Sequence, residues 1–313
     1  MIKAAKLLLI LVITAIAGRA AYGQAALYQQ RRPTPGSEKT SIQVPHAVSF
    51  REIPGRGLLV RTWVNGAGPY NFAIDTGAGA TLISERVAAD ANVSQSRRGQ
   101  ATVSGLGGQT RPAQHAVIEN LALGDAVNYI PARGDVLITN GLPADLDGVL
   151  DPTEALAPLG YVIDLPRREL AAFDAQLDPV RIDRIPFEGA VVPWARDPHG
   201  RRPFVMLDNG DRALLDTGSS LGLAIRDPNF DQREPRRTVR DVGGGQVSTR
   251  RVTTKTISIG SLTLQQIPTD LVSGAAADAP VLLGLAALRP FRLRFDPVHR
   301  LIEIAPPAAG QFR

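Results

Sequence analysis

Two short stretches carry the residues best suited to chemistry. FAIDTGAGATLI, ending at Ile83, and RALLDTGSSLGLAI, ending at Ile225, each run an apolar segment into Asp-Thr-Gly. The two aspartates, Asp75 and Asp216, lie 141 residues apart. An ionised carboxylate among buried strands is costly unless it is paired or hydrogen-bonded. Two carboxylates within hydrogen-bond distance cannot both ionise easily, so they share one proton and titrate as a pair. One member can then take a proton from a water while the other donates to a carbonyl. Amide hydrolysis of this kind needs no metal, cysteine or histidine. The chain has no cysteine, which excludes disulfides and Cys-containing zinc sites. Its four histidines, His46, His115, His199 and His299, stand isolated without i+3 or i+4 partners, so no metal and no other cofactor is expected.

The elements that must position these aspartates repeat along the chain. From about Pro45 onward, short apolar runs alternate with glycine and proline turns, and long helix-period segments are few, which predicts a mostly β protein. LLVRTWVNGAGPYNFAIDTG and PFVMLDNGDRALLDTG each hold a strand, an Asn-Gly turn (Asn65-Gly66, Asn209-Gly210) and a second strand ending in Asp-Thr-Gly. The glycine-rich SGLGGQT (104–110) matches DVGGGQV (241–247), and LALG (121–124) matches ISIG (257–260). DGVLDPTEALAPLGYVIDLPRREL (147–170) matches APVLLGLAALRPFRLRFDPVHRLI (279–302); in both, a short Ala/Leu segment precedes a strand carrying Asp164 or Asp296. Five landmarks in one order predict tandem lobes joined near residues 178–188. A two-fold arrangement would set Asp75 opposite Asp216. Thr76 and Thr217 would then bond across the interface, and Gly77 and Gly218 would allow close backbone approach. The glycine-rich hairpins would close over an extended substrate.

These residues resemble the aspartic peptidases: hydrophobic-Asp-Thr-Gly-Ala/Ser, a glycine-rich flap, and a later hydrophobic-hydrophobic-Gly element at Leu282-Leu283-Gly284. The nearest likeness is to bacterial retropepsin-like proteins with two lobes in one chain, and it spans about Val44 to Ile304. The resemblance implies a bilobal acid-protease fold of two pseudo-twofold-related, β-barrel-like lobes. It implies Asp75 and Asp216 as the catalytic pair, with Thr76, Gly77, Ala78, Thr217, Gly218 and Ser219 as the brace and loops around them. Gly105, Leu106, Gly107 and Gly108, with Gly243, Gly244 and Gly245, become the substrate-binding flaps. Neither flap tip has the tyrosine of pepsin-like flaps, which favours the retropepsin side. Ala78 lacks the hydroxyl that Ser219 has, so the two aspartates are not equivalent. The first half has Asp151 where the second has Gly284. That departure keeps a second expectation open, a catalytically silent member of the fold that binds a peptide or a partner protein.

The remaining regions bound the setting. Lys3 and Lys6, an apolar LLLILVITAIA and small residues at Ala21-Tyr22-Gly23 predict a secretory signal peptide over 1–23, with an uncleaved anchor as the alternative. Residues 24–44 read as a flexible lead-in, 45–178 and 179–306 as the two lobes, and 307–313 as a tail. The expected location is the periplasm or outside the cell, without stable membrane insertion once the signal is cleaved. Net charge is +5, and removing Lys3, Lys6 and Arg19 leaves +2. The remaining Arg-Arg pairs are scattered among acids, so no nucleic-acid partner is expected. The expected partner is a peptide or protein substrate. A monomer is the expected state, and pairing of lobes between two chains is the alternative. Gly218-Ser219-Ser220-Leu221-Gly222 matches the serine-hydrolase elbow in form, but the run after it reads as a strand where that motif needs a helix. Glycines 105, 107 and 108 lack the spacing and the lysine of a phosphate loop. Trp63 and Trp194, each upstream of an Asp-Thr-Gly, could line a cleft, but such residues are more often core.

Overall fold

The computed structural model describes residues 43–131, 134–197, 200–227, 237–240 and 245–307, together with the backbone of two short strands at 8–9 and 14–16. The expectations for the lead-in and for most of the leader and tail lie outside these residues, as do Gly243 and Gly244. The protein is mostly β, with three short helices, α1 (Glu85–Asp90), α2 (Pro152–Ala155) and α3 (Leu285–Leu288), among the described residues. None is long and apolar enough to cross a membrane.

Three sheets carry the chain. A ten-stranded sheet holds the first Asp-Thr-Gly and an eight-stranded sheet the second. Their central pairings repeat. Ala67–Ile74 runs parallel to Gly148–Leu150, which is antiparallel to Leu82–Ser84, which is parallel to Gly134–Thr139. In the second sheet Arg212–Asp216, Val281–Gly284, Leu223–Arg226 and Leu262–Ser273 pair with the same three senses in the same order. Sheets with parallel centres are buried on both faces, so their strands read as nearly continuous apolar runs. Residue alternation shows this directly. Leu58, Val60, Phe72, Ile74, Ile83 and Leu150 face the main core, while Leu59, Ala73, Leu82 and Val149 fill a second cluster on the other face.

The expectation of barrel-like lobes is corrected. Each of the two sheets is an open path, and the strands at its ends do not pair with each other, so no barrel closes among the described residues. The turn chemistry followed the sequence more closely. Asn65 and Gly66 both take positive φ, 48° and 80°, as a tight hairpin needs, whereas in the second pair only Gly210 does, at 84°. After the serine of the elbow-like motif comes the strand Leu223–Arg226, so the helix that motif requires is missing.

The third sheet has six strands in the order Ala190–Pro193, Leu301–Ala305, Arg292–Asp296, Gly160–Asp164, Glu169–Phe173 and Val48–Ser49. It draws three strands from before residue 178 and three from after residue 188, so the two matched segments share one continuous ladder. Its centre is the antiparallel pair of Gly160–Asp164 with Arg292–Asp296, where Tyr161 stands opposite Phe295. Their rings stack at 4.6 Å, and Trp194 meets Phe295 edge-on at 6.0 Å. Asp164 and Asp296 end these two strands by accepting turn N–H groups, Arg167 N for the first and Val298 N and His299 N for the second. Their burial is structural. Phe295 is fully buried against both other rings. Phe295→Ala is expected to lower the unfolding free energy by about 3–5 kcal/mol, read by urea denaturation.

Candidate active site

Asp75 and Asp216 lie at the ends of their strands, both fully buried. What joins them is a clasp of four hydrogen bonds made by the next residue on each side. Thr76 Oγ1 donates to Leu215 O at 2.6 Å, and Thr217 Oγ1 donates to Ile74 O at 3.0 Å. In return Thr217 N donates to Thr76 Oγ1, and Thr76 N to Thr217 Oγ1, both at 3.1 Å. Each hydroxyl gives one bond and accepts one. Each carbonyl it reaches belongs to the residue just before the opposite aspartate, so the clasp fixes the two acids against each other.

The glycines let the acids approach. A Cβ on Gly77 would lie 2.9 Å from Asp216 Cγ, and one on Gly218 only 2.4 Å from Asp75 Cγ. Without side chains, their N–H groups instead hold the carboxyls: Gly77 N donates to Asp75 Oδ1 at 2.8 Å and Gly218 N to Asp216 Oδ1 at 2.9 Å. Oδ2 of each aspartate is buried with no hydrogen-bond partner from the described residues. Each carboxyl is therefore anchored by one oxygen and offers the other.

The two acids are not equivalent, for a reason the sequence located only in part. The Ser219 hydroxyl does not bond Asp216; it accepts from Leu221 N at 3.3 Å. The difference lies in the backbone. Ser219 N donates to Asp216 Oδ1 at 3.1 Å, whereas Ala78 N reaches only the main-chain oxygen of Asp75. Asp216 thus accepts two N–H bonds and Asp75 one, and N–H donors favour the ionised form. Burial pushes Asp216 up to about 7, held from going higher by the adjoining Asp75 carboxyl, the Gly218 and Ser219 amides and the charge of Arg202. Asp75 is raised well above the usual carboxylate range, first by burial and then by the charge of Asp216. The second amide on Asp216 therefore favours its ionised form more than the single amide favours that of Asp75.

The first glycine-rich hairpin lies against the second sheet. Strands Ser94–Ser104 and Thr110–Ile118 carry Gly105, Leu106, Gly107 and Gly108 at their turn. Leu106 is buried in a cluster with Leu214, Val239 and Val247 of the eight-stranded sheet and with Leu221. Ala276 N donates to Leu106 O at 3.0 Å. A tip read from its glycines as a free hairpin is docked by its one large side chain. In the second hairpin, Gly245 is buried just before the strand Gln246–Ile259.

Sequence reading missed a polar group beside Asp75. Asp151 is 4 % exposed, and its Oδ1 accepts from Thr153 N to cap α2. Glu154 Oε2 accepts from Thr81 N at 2.9 Å, and Thr153 Oγ1 pairs with Tyr161 Oη at 2.9 Å. The sequence shows Asp151 as a departure from glycine but not its neighbours, because Thr81, Glu154 and Tyr161 are brought together only by the strand pairing. Trp194 is core, as expected, with its indole N–H donating to Arg202 O.

Residues 60–150, the stretch around the first Asp-Thr-Gly, match the family model described as aspartyl protease. The match supports an aspartic protease family and, with it, peptide hydrolysis by an aspartic mechanism. It ends before Asp216. No curated protein matches the chain.

Two outcomes follow from this geometry. Thr76→Val removes the donor to Leu215 O and the acceptor of Thr217 N, and is expected to destabilise the protein by about 2–5 kcal/mol, while Thr76→Ser stays near wild type; urea denaturation of the two variants checks this. The pH dependence has a definite sign. Both acids bind protons more tightly folded than unfolded, so their contribution to stability is present below the ordinary value of 3.8 and declines as pH rises above it, that of Asp216 being lost as pH passes about 7. The melting temperature of Asp216→Asn is expected to fall less over that window than that of wild type, as read by thermal scans across pH.

Proposed function

We propose that the protein is an exported aspartic endopeptidase, a bilobal enzyme whose two pseudo-twofold-related halves each contribute one aspartate. The observation that carries this reading is the threonine clasp, which holds Asp75 and Asp216 side by side with one free oxygen each. In this mechanism Asp216 is the general base and Asp75 the acid. A water between the free oxygens gives a proton to Asp216 as its oxygen attacks the scissile carbonyl carbon, and Asp75 gives its proton to the carbonyl oxygen. Collapse of the tetrahedral diol breaks the C–N bond, the amine leaves with a proton from Asp216, and the proton on the diol returns to Asp75. Water is consumed, and an acid and an amine are formed. The hairpin turn at 105–108 covers the substrate and excludes solvent.

The backbone pairing supports a substrate in extended form. Strand Ser94–Ser104 takes the short segment Thr14–Ile16 in antiparallel pairing, and strand Arg237–Arg240 takes Leu8–Leu9 in parallel pairing. Each edge strand thus accepts an extended backbone, the mode by which sheets bind peptides. The basic, apolar leader supports export to the periplasm or beyond.

The test is cleavage of a diverse peptide pool by the protein lacking residues 1–23, followed from acidic to neutral pH by mass spectrometry. Wild type is expected to cut, and Asp75→Asn and Asp216→Asn each to lose at least ~100-fold in kcat while remaining folded. A folded wild type that cuts nothing would leave the fold as a peptide- or partner-binding module. Loss from only one of the two changes would rule out the shared pair.

A further inference from the structure

The two sheets repeat each other up to the aspartates and then part at one step. In the second sheet, Asp216 pairs across the parallel ladder with Gly284. A Cβ at Gly284 would lie 2.5 Å from Leu221 O and 2.7 Å from Ser219 O, so glycine alone fits there. In the first sheet Ile74 pairs with Leu150, and Asp75 N donates to Leu150 O at 3.0 Å. The next residue, Asp151, therefore occupies beside Asp75 the place that Gly284 has beside Asp216.

This is not a lone substitution. Counted from the aspartates, Thr81 corresponds to Gly222, and counted from Asp151, Glu154 corresponds to Ala287. In the second half Gly284 N donates to the backbone oxygen of Gly222; in the first, Asp151 N donates to the Thr81 side chain, and Thr81 N donates to Glu154. Three polar side chains in one half stand where the other half has two glycines and an alanine. The groups that face Asp151 are Asp75 at the strand end, with Asp216 behind it, Thr81 before the next strand, Thr153 and Glu154 on α2, and Tyr161 beyond Thr153. Glu154 in turn feels Asp135 and Arg201. No ion pair forms to Asp151 among the described residues.

We propose that Asp151 is a positioning residue that acts as a third carboxyl beside the pair, its charge governing how long Asp75 keeps its proton as pH rises. The role rests on the peptidase reading for its purpose, but not for its chemistry. Burial and the charge of Glu154 push Asp151 up to about 7, so below that pH it is neutral and silent. Above it, a second negative charge stands next to Asp75 and, like that of Asp216, opposes its ionisation. The acid of the pair therefore stays protonated further into the neutral range than in a site with glycine at this step.

Asp151→Asn separates this role from capping, because asparagine caps a helix as well as aspartate does but carries no charge. Side-chain carboxyl carbons of wild type and variant would be titrated by ¹³C NMR, with the alkaline limb of peptide cleavage measured alongside. The Asp75 midpoint is expected to fall by about half a pH unit or more, and the alkaline limb to fall with it. A purely structural role lowers the melting temperature and leaves the midpoint where it was, and that result overturns the proposal. Should Asp151→Asn not fold, Asp151→Ser keeps a capping oxygen and is read in the same way. A shifted midpoint in a protein that cleaves no peptide supports the coupling and defeats the peptidase reading instead.

Discussion

The structure depends on one constraint: two fully buried carboxyls must be held together without both being charged. The clasp of Thr76 and Thr217 meets the geometric half of it. Each hydroxyl bonds the carbonyl that precedes the opposite aspartate, so neither strand end can shift without pulling on the other. The protonic half is met by sharing. Burial and mutual repulsion oppose a second charge on the pair, while backbone N–H groups, one at Asp75 and two at Asp216, can stabilise the first.

Repetition of the frame makes its asymmetries meaningful. The same three pairing senses bring each Asp-Thr-Gly to the end of a central strand, so differences between the halves stand out against a shared strand frame. The extra amide at Asp216 comes from the way the chain turns at Ser219, and the extra acid near Asp75 comes from Asp151. Both lean the same way. The added amide favours ionisation of Asp216, and the added carboxyl opposes that of Asp75.

The six-stranded sheet gives this small site its rigidity. Its ladder runs through strands from both matched segments, and its centre is locked by the stacked rings of Tyr161 and Phe295. Tyr161 also bonds Thr153 on α2, directly after the Asp151 step. On the other side, the Leu106 tip of the first hairpin is seated in the core of the second sheet. Packing at a distance thus reaches the acids along two short routes, one through α2 and one through the hairpin.

By itself the sequence determined the β class, the repeat, the two aspartates and their threonines and glycines. Those features are local: an apolar run, a turn residue and a motif appear wherever the chain is read, and the second copy showed that the first was no accident. Only the tertiary structure decided that no barrel closes among the described residues, since closure depends on whether end strands meet. Pairing alone revealed the six-stranded ladder, whose strands are far apart in the chain. The same holds for the asymmetry of the pair. Ser219 suggested a hydroxyl, but the effective group is its amide, and an amide's direction is set by the path of the backbone. Asp151 read as a flaw in a motif, and its surroundings became visible once residues 75, 81, 154 and 161 were folded against it. Side-chain type is written in the chain, whereas the field a buried charge feels is made by neighbours that only the fold assembles.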